Sequence, residues 1–311
     1  LPRRSIPASM SPIAHLHALW GRWWPAPFLP LLVLPVMAWT GNLRIEHIVI
    51  VALLVVFGVW SERSRALLLA GLPGVAVGLG YEIIRFLRPV FITADKVLGC
   101  DLAAFEARFF SLPGGQTLPD FFVQHHSPAW DLFFAFPYTI FWMAAVVYAI
   151  VLFFTNRPRM QRFLWLLAAT HVVAFAIWLT WPAAPPWYIR EYGCVIDMSA
   201  LPDAAALNRL DQMFAISYFH DFYSRTPNVF GALPSLHCAF PTAALMSAWR
   251  DSGWRERVLH VVLIAWMISA SVYLDHHWLV DGLAGIAIVI CAYGMIYVIP
   301  DWLRRRRAKS A

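Results

Sequence analysis

Three features of this sequence predict an all-α, polytopic membrane bundle of about eight transmembrane helices. Hydrophobic residues fill 60% of the 311 positions and charged residues only 14%, against about 25% charged in soluble domains. Eight stretches approach the ~20 apolar residues that a spanning helix needs. Lys and Arg gather in one alternating set of the loops between them, as cytoplasmic loops do. A mean hydropathy of +0.61 agrees, and the 16 Trp and 10 Tyr suit a chain with two membrane–water interfaces, where amphipathic rings settle.

Taken in order, the N-terminal residues hold Arg3, Arg4 and two prolines before Ser11 and no continuous apolar core, so no signal peptide is read there. Met10 is a candidate native start, with the residues before it a vector remnant or a trimmed end. The first candidate span, 23–39, is interrupted by four prolines and is weak. Spans 45–60, 66–87, 131–154 and 163–181 are clear. The sixth, 236–249, is short and carries Pro241, and 258–274 and 278–299 complete the set. With both termini inside, the inner segments hold 16 basic residues and the outer ones 8. The net charge of +6 is then a topology signal, and a nucleic-acid partner loses its support. Residues 1–22 read as a cytoplasmic segment, 23–300 as one transmembrane catalytic domain, and 301–311 as a basic cytoplasmic tail.

Two long outer segments, 89–130 and 182–235, contain half of the 18 acidic residues. Within them 102–110 and 207–219 have helical spacing of apolar residues and suit helices lying along the membrane surface. The four cysteines show no CxxC and no zinc-like spacing. Cys100 and Cys194 fall in the two outer segments and can pair if that side is oxidising; Cys238 and Cys291 read as small packing residues.

Ionisable residues at the ends of spanning helices are costly, and so they draw attention. One cluster runs from Phe230 to His237 at the outer start of the sixth span. The other, from Ser271 to Gly282, crosses the outer turn between the seventh and eighth spans. Topology puts both on one face of the membrane. His277 and Asp281 are four apart and share a face if helical, so the carboxylate can hold one ring nitrogen and leave the other as nucleophile or base. Ser235 and His237 fall in an opening helical turn after Pro234, where free N–H groups attract a phosphate. His237 can then protonate a leaving alkoxide. From the residues alone, a metal site of two His and an Asp and plain packing both stay open.

The strings PSLH (234–237) and SVYLDHHWLVDGLAG (271–285) resemble the second and third signature motifs of the type 2 phosphatidic acid phosphatase superfamily, PSxH and a Ser followed by HxxxD. WPAAPPWYIREYG (181–193), LNRLDQMF (207–214), FGALPSLH (230–237) and YLDHHWLVD (273–281) resemble its inositol phosphorylceramide synthase branch in order and approximate spacing. The resemblance covers about 130–300, with motifs inside 181–285. It implies a six-helix core, no cofactor and no metal. It further implies a phosphohistidine on His277, Asp281 orienting that ring, His237 as acid and then base, and Ser235 with backbone amides holding phosphate oxygens. The donor would be phosphatidylinositol and the acceptor a lipid alcohol such as ceramide.

The superfamily's first motif, a Lys followed six residues later by Arg-Pro, is absent after the fifth span. Ala184 to Tyr188 stands there instead, which makes Tyr188 a substrate-binding candidate. Phosphate charge must then meet another cation, with Arg209 the first candidate and Arg190 and Arg225 behind it. His276, beside the nucleophile but about 100° away on a helix, reads as a neighbour at most, and Phe134 to Tyr138 as helix packing around Pro137. Two rivals remain: a lipid phosphatase using water as acceptor, and a lipid transporter or scaffold without catalysis.

Overall fold

A computed structural model describes residues 11–226 and 228–310. The candidate start at Met10 and the basic pair Arg3 and Arg4 lie outside the described residues. Among those described there is no strand beyond two isolated bridges. The helices are α1 (Pro12–Trp20), α2 (Val33–Trp39), α3 (Ile45–Trp60), α4 (Glu62–Phe91), α5 (Cys100–Phe109), α6 (Leu118–Gln124), α7 (Pro128–Thr155) and α8 (Arg157–Thr180). They continue as α9 (Pro186–Tyr192), α10 (Asn208–Phe214), α11 (Tyr218–Tyr223), α12 (Leu236–Ala248), α13 (Trp254–Tyr273), α14 (Leu279–Tyr293) and α15 (Ile299–Ser310).

Five helices among the described residues are long and apolar enough to cross a membrane: α4, α7, α8, α13, and α14 continued through α15 to Ala308. The other three expected spans are shorter, at Ala26–Trp39, Ile45–Trp60 and Leu236–Ala248. The 13 residues of α12 cover only about 20 Å at 1.5 Å per residue, short of a hydrocarbon core of about 30 Å. In 23–39 the prolines remove N–H donors, and the chain forms a 3-10 helix over Ala26–Leu32 before α2. The basic tail is not a loop. It extends α14 through a π-helical turn at Gly294–Val298 into α15.

Helix starts follow local chemistry. Ser127 accepts from Trp130 N at 3.4 Å ahead of Pro128, and Asn156 accepts from Arg159 N at 3.1 Å ahead of Arg157-Pro158. Such side-chain caps and early prolines satisfy or remove the donors that a helix start leaves unpaired.

The chain groups into two compact units, Leu1–Leu72 and Pro73–Ala311. In the first, His15 Nε2 and Trp20 Nε1 each lie 2.8 Å from a carbonyl near the end of α3, those of Val59 and Gly58. In the second, α12 is the centre, packed against α8, α13 and α14. Its buried residues, among them Cys238, Ala239, Thr242, Ala243 and Ala248, lie on several faces, as expected of a helix enclosed by others. Small residues permit the approach: a Cβ on Gly285 of α14 would overlap the Ser235 carbonyl oxygen. On α7, Phe133, Phe136, Met143, Val147 and Phe154 are exposed, an apolar surface suited to lipid.

Opposite ends of this unit differ. At the C-terminal end of α12 the basic turns meet, Arg159 pairing with Glu256, Arg162 with Asp251, and Arg250 with Asp301 at 2.5 Å. At its N-terminal end the two long segments fold together. Leu98 N donates to Pro182 O at 2.8 Å, Ala184 N to Leu98 O at 2.9 Å, and Ala183 N to Phe230 O at 2.9 Å. Cys100 and Cys194 form a disulfide between these segments. The amphipathic stretches expected near 102–110 and 207–219 are α5, α10 and the start of α11.

Candidate active site

Helix α13 ends at Tyr273, and Asp275 then takes a left-handed conformation, φ +67°. That position after a helix usually belongs to Gly, and Asp tolerates it better than most residues. The turn bonds back to the helix, His276 N and His277 N both donating to Ser271 O at 3.2 Å. It leads into Trp278, the N-cap of α14.

His277 and Asp281 therefore do not share a helical face. His277 precedes the helix and Asp281 is its third residue. The nearest acceptor to His277 Nδ1 is the Ala232 carbonyl at 2.9 Å, with Asp281 Oδ2 at 3.5 Å. Asp281 is fully buried, and its Oδ2 accepts from Trp278 N at 2.9 Å. A carbonyl can only accept, so Nδ1 of His277 carries the proton and Nε2 holds a lone pair. That Nε2 lies 3.3 Å from His237 Nδ1. His237, in the first turn of α12, stacks on Tyr138 with ring centroids 3.9 Å apart and meets Phe141 at 4.5 Å. The two clusters, 40 residues apart in sequence, thus meet at one point.

Ser235 is the N-cap of α12, not part of its opening turn, and Pro234 precedes the cap. Its N–H donates to Asp281 O at 2.9 Å and so is engaged. Its hydroxyl is buried with no oxygen or nitrogen partner, only the Cys238 thiol beside it. The first-turn N–H groups of α12, at Leu236 and beyond, have no carbonyl ahead of them in the helix.

A cavity of about 160 Å³ opens beside the two histidines. Aromatic residues dominate its wall, with Tyr81, Tyr138, Trp178, Trp187 and Tyr223 beside His276. Arg190, Arg209 and Arg225 are not among the described residues that line it. Arg209 Nε donates to Asp131 at 2.9 Å, with the guanidinium over the Tyr273 ring, and Tyr273 OH donates to the same carboxylate at 2.8 Å. Arg190 pairs with Asp275 and, at 2.9 Å, with Asp120. The Arg225 carbonyl accepts from Arg85 Nη2 at 3.2 Å. Tyr188 is fully buried, its hydroxyl accepting from Asp197 N at 2.6 Å and donating to Val195 O at 3.3 Å. It holds the 193–199 loop.

His276 is not a bystander on a helix. Its ring stacks on Tyr223 (centroids 4.6 Å apart) and Tyr138 (5.4 Å), and Nε2 lies 3.1 Å from Ala204 O. Burial, then the neighbouring His277, brings it down to about 3, so it stays neutral near pH 7. Glu106 is a participant that the sequence does not advertise. Fully buried on α5, its carboxylate accepts from Leu279 N at 2.8 Å and Val280 N at 3.2 Å, the first two residues of α14.

Burial pushes the Asp275 carboxyl up to about 6, against the pull of Arg190. The folded chain holds that proton more tightly than an unfolded one with the ordinary value of 3.8. The stability this group adds is therefore full below 3.8 and lost as pH rises through about 6. The thermal unfolding midpoint in detergent is expected to fall across that window, and Asp275→Asn to flatten the slope. An equal slope in both proteins would rule out Asp275 as its source.

Comparison with known proteins identifies the family. The family model described as PAP2 superfamily matches residues 105–295, which include both histidine clusters, Glu106 and Asp281. A phosphoinositol dihydroceramide synthase of Bacteroides thetaiotaomicron is 29% identical over 257 residues, covering 81% of this chain and 84% of its own. The inositol phosphorylceramide synthase catalytic subunits of Schizosaccharomyces pombe and Saccharomyces cerevisiae are 32% and 34% identical, over 38% and 33% of this chain. Those matches span only 28% and 26% of the yeast proteins. No solved structure matches the chain. With a helical membrane bundle, two histidines meeting at the start of a central helix, and a family match across more than half its length, the chain belongs to the PAP2 superfamily.

Proposed function

We propose that this enzyme transfers a phosphoinositol group from phosphatidylinositol to a ceramide-type alcohol, through a phosphohistidine on His277. The observation that carries the chemistry is the pairing of His277 Nδ1 with the Ala232 carbonyl, which leaves Nε2 as a lone pair 3.3 Å from His237. The names of the relatives supply the choice of head group and acceptor.

In the first half-reaction a phosphodiester seats between the two rings and replaces their hydrogen bond. Nε2 of His277 attacks phosphorus, and the bond to the diacylglycerol oxygen breaks. His237, an imidazolium once the phosphodiester anion is seated, delivers its Nδ1 proton to that oxygen and is left neutral, so diacylglycerol leaves neutral. Positive charge on the His277 ring is met by Asp281 and the Ala232 carbonyl. The Ser235 hydroxyl and the first-turn amides of α12 hold the phosphoryl oxygens, aided by the positive end of the helix dipole. In the second half His237 takes the proton of the acceptor hydroxyl, the alkoxide attacks phosphorus, and the P–N bond breaks to restore His277. The aromatic wall supplies a dry site, in which an apolar alcohol competes well with water.

The site faces the extracytoplasmic side in this reading, with both termini inside. Support comes from the Cys100–Cys194 disulfide in the segments around the site, since disulfides persist in oxidising compartments. The Arg-rich turns 156–162 and 250–257 lie at the other end of the bundle, as cytoplasmic loops do.

The test is purified protein in vesicles with inositol-labelled phosphatidylinositol, with and without ceramide. Labelled inositol phosphorylceramide, with diacylglycerol released in equal amount, is expected only when both lipids are present. Inositol phosphate alone, at a rate indifferent to ceramide, would make the protein a phosphatase with water as acceptor. No turnover of any phospholipid would leave a transporter or scaffold.

A further inference from the structure

The cavity beside the histidines is bounded by two buried donors that the reaction at phosphorus does not use. Trp178, near the end of α8, is 7% exposed, and its Nε1 has no hydrogen-bond partner. Asn228, 8% exposed, accepts from Phe230 N at 3.1 Å through Oδ1. A backbone N–H can meet only the oxygen end of that amide, so its orientation is fixed and Nδ2 is the free end. Nδ2 is likewise buried without a partner. The two side chains are neighbours across Gly231: a Cβ there would stand 3.2 Å from Asn228 Nδ2 and 3.4 Å from the Trp178 ring. Gly231 in turn precedes Ala232, whose carbonyl holds His277.

Buried donors left unpaired are costly, and two side by side on a cavity wall point to a ligand that satisfies them. Thr226 and Asp203 line the same cavity. Asp203 accepts from Ala205 N at 2.5 Å and Asn208 Nδ2 at 3.1 Å, which fixes it in place with acceptor capacity to spare. A carboxylate repels a second phosphate, whereas hydroxyl groups both donate and accept. Donors and acceptors lining one cavity therefore suit a polyol.

We propose that Asn228 Nδ2 and Trp178 Nε1, together with Asp203 and Thr226 of the same cavity, form a subsite that selects a polyhydroxylated head group. The proposal rests on the reading that the phosphate of the same substrate sits at His237 and His277. A side chain at Gly231 would crowd both groups, and no Lys or Arg is among the described residues that line the cavity, which leaves selection to hydroxyl geometry.

Trp178→Phe deletes one donor and keeps the ring, and Asn228→Asp keeps the Oδ1 bond to Phe230 while turning the free donor into an acceptor. Turnover of phosphatidylinositol is compared with that of phosphatidylethanolamine, whose head group has no hydroxyl. Each variant is expected to lower kcat/KM for the polyol lipid about five- to ten-fold more than for the other, mainly through KM. Equal losses on both lipids, or no loss on either, would overturn the subsite. Where wild type turns over neither lipid, thermal shift decides separately. If inositol 1-phosphate stabilises wild type beyond inorganic phosphate and the excess disappears in Trp178→Phe, the subsite stands while the transfer reading fails. No excess in wild type overturns the subsite.

Discussion

Replacing His277 with Ala is expected to lower phosphoryl transfer by about 10⁴-fold or more, the scale on which a covalent nucleophile fails when it is removed. Its ring is anchored by the Ala232 carbonyl, and its free nitrogen is the one facing His237. No described side chain lies between them to take over the attack: His276 has its Nε2 against Ala204 O and its ring between two tyrosines. Wild type pulsed with a phosphorus-labelled donor is expected to carry label that is lost in acid and kept in base, as a P–N bond behaves. His277→Ala is expected to carry none. His237→Ala separates the two halves of the reaction. With a nitrophenyl leaving group, departure needs no proton, so this variant should acquire label and then hold it, lacking the base that activates the incoming alcohol. Turnover by His277→Ala at a wild-type rate would end the phosphohistidine reading.

Both the fold class and the two histidine clusters were legible because their physics is local. Long apolar runs and basic turns declare a membrane bundle, and ionisable residues at span ends stand out against a 60% hydrophobic background. What sequence spacing could not resolve was backbone direction. The i to i+4 rule placed His277 and Asp281 on one helix, whereas the left-handed Asp275 and the Trp278 cap put the histidine ahead of α14. The arginines stand out in the sequence by charge, and Arg209 also by its place in the string LNRLDQMF. Their partners, Asp131 for Arg209 and Asp275 with Asp120 for Arg190, are 70–85 residues away in sequence and invisible to pattern. Tyr138 was read as packing, and it does pack, but on His237 and His276. Glu106 stands one turn after Leu102, and these two are the buried residues of α5, whereas Phe105 and Phe109 are exposed, so the apolar period of that helix does not mark it.

Glu106 leads to the second large effect, because the start of α14 can be accounted for donor by donor. Trp278 N bonds to Asp281 Oδ2, Leu279 N and Val280 N to the two Glu106 oxygens, and Asp281 N to Trp278 O. Four donors that a helix start leaves unpaired are thus met, two of them by one buried carboxylate from α5. That helix is itself fixed at its first residue by the Cys100–Cys194 bond. Glu106→Ala strands two buried N–H groups at about 1–3 kcal/mol each and frees the turn that aims His277 and Asp281. A displacement near 1 Å at reacting atoms costs about 10²-fold, so kcat is expected to fall on that order with KM little changed. Glu106→Gln tests the charge and the geometry together: one amide oxygen can serve one N–H, but the amide nitrogen then faces the other donor. It is expected to fall nearer to Ala than to wild type, and the rate of phosphoenzyme formation, measured on protein still folded at the assay temperature, is the readout. Wild-type kcat in Glu106→Gln would show that α14 holds its start without this carboxylate, and Glu106 would then be a packing residue with no part in positioning the nucleophile.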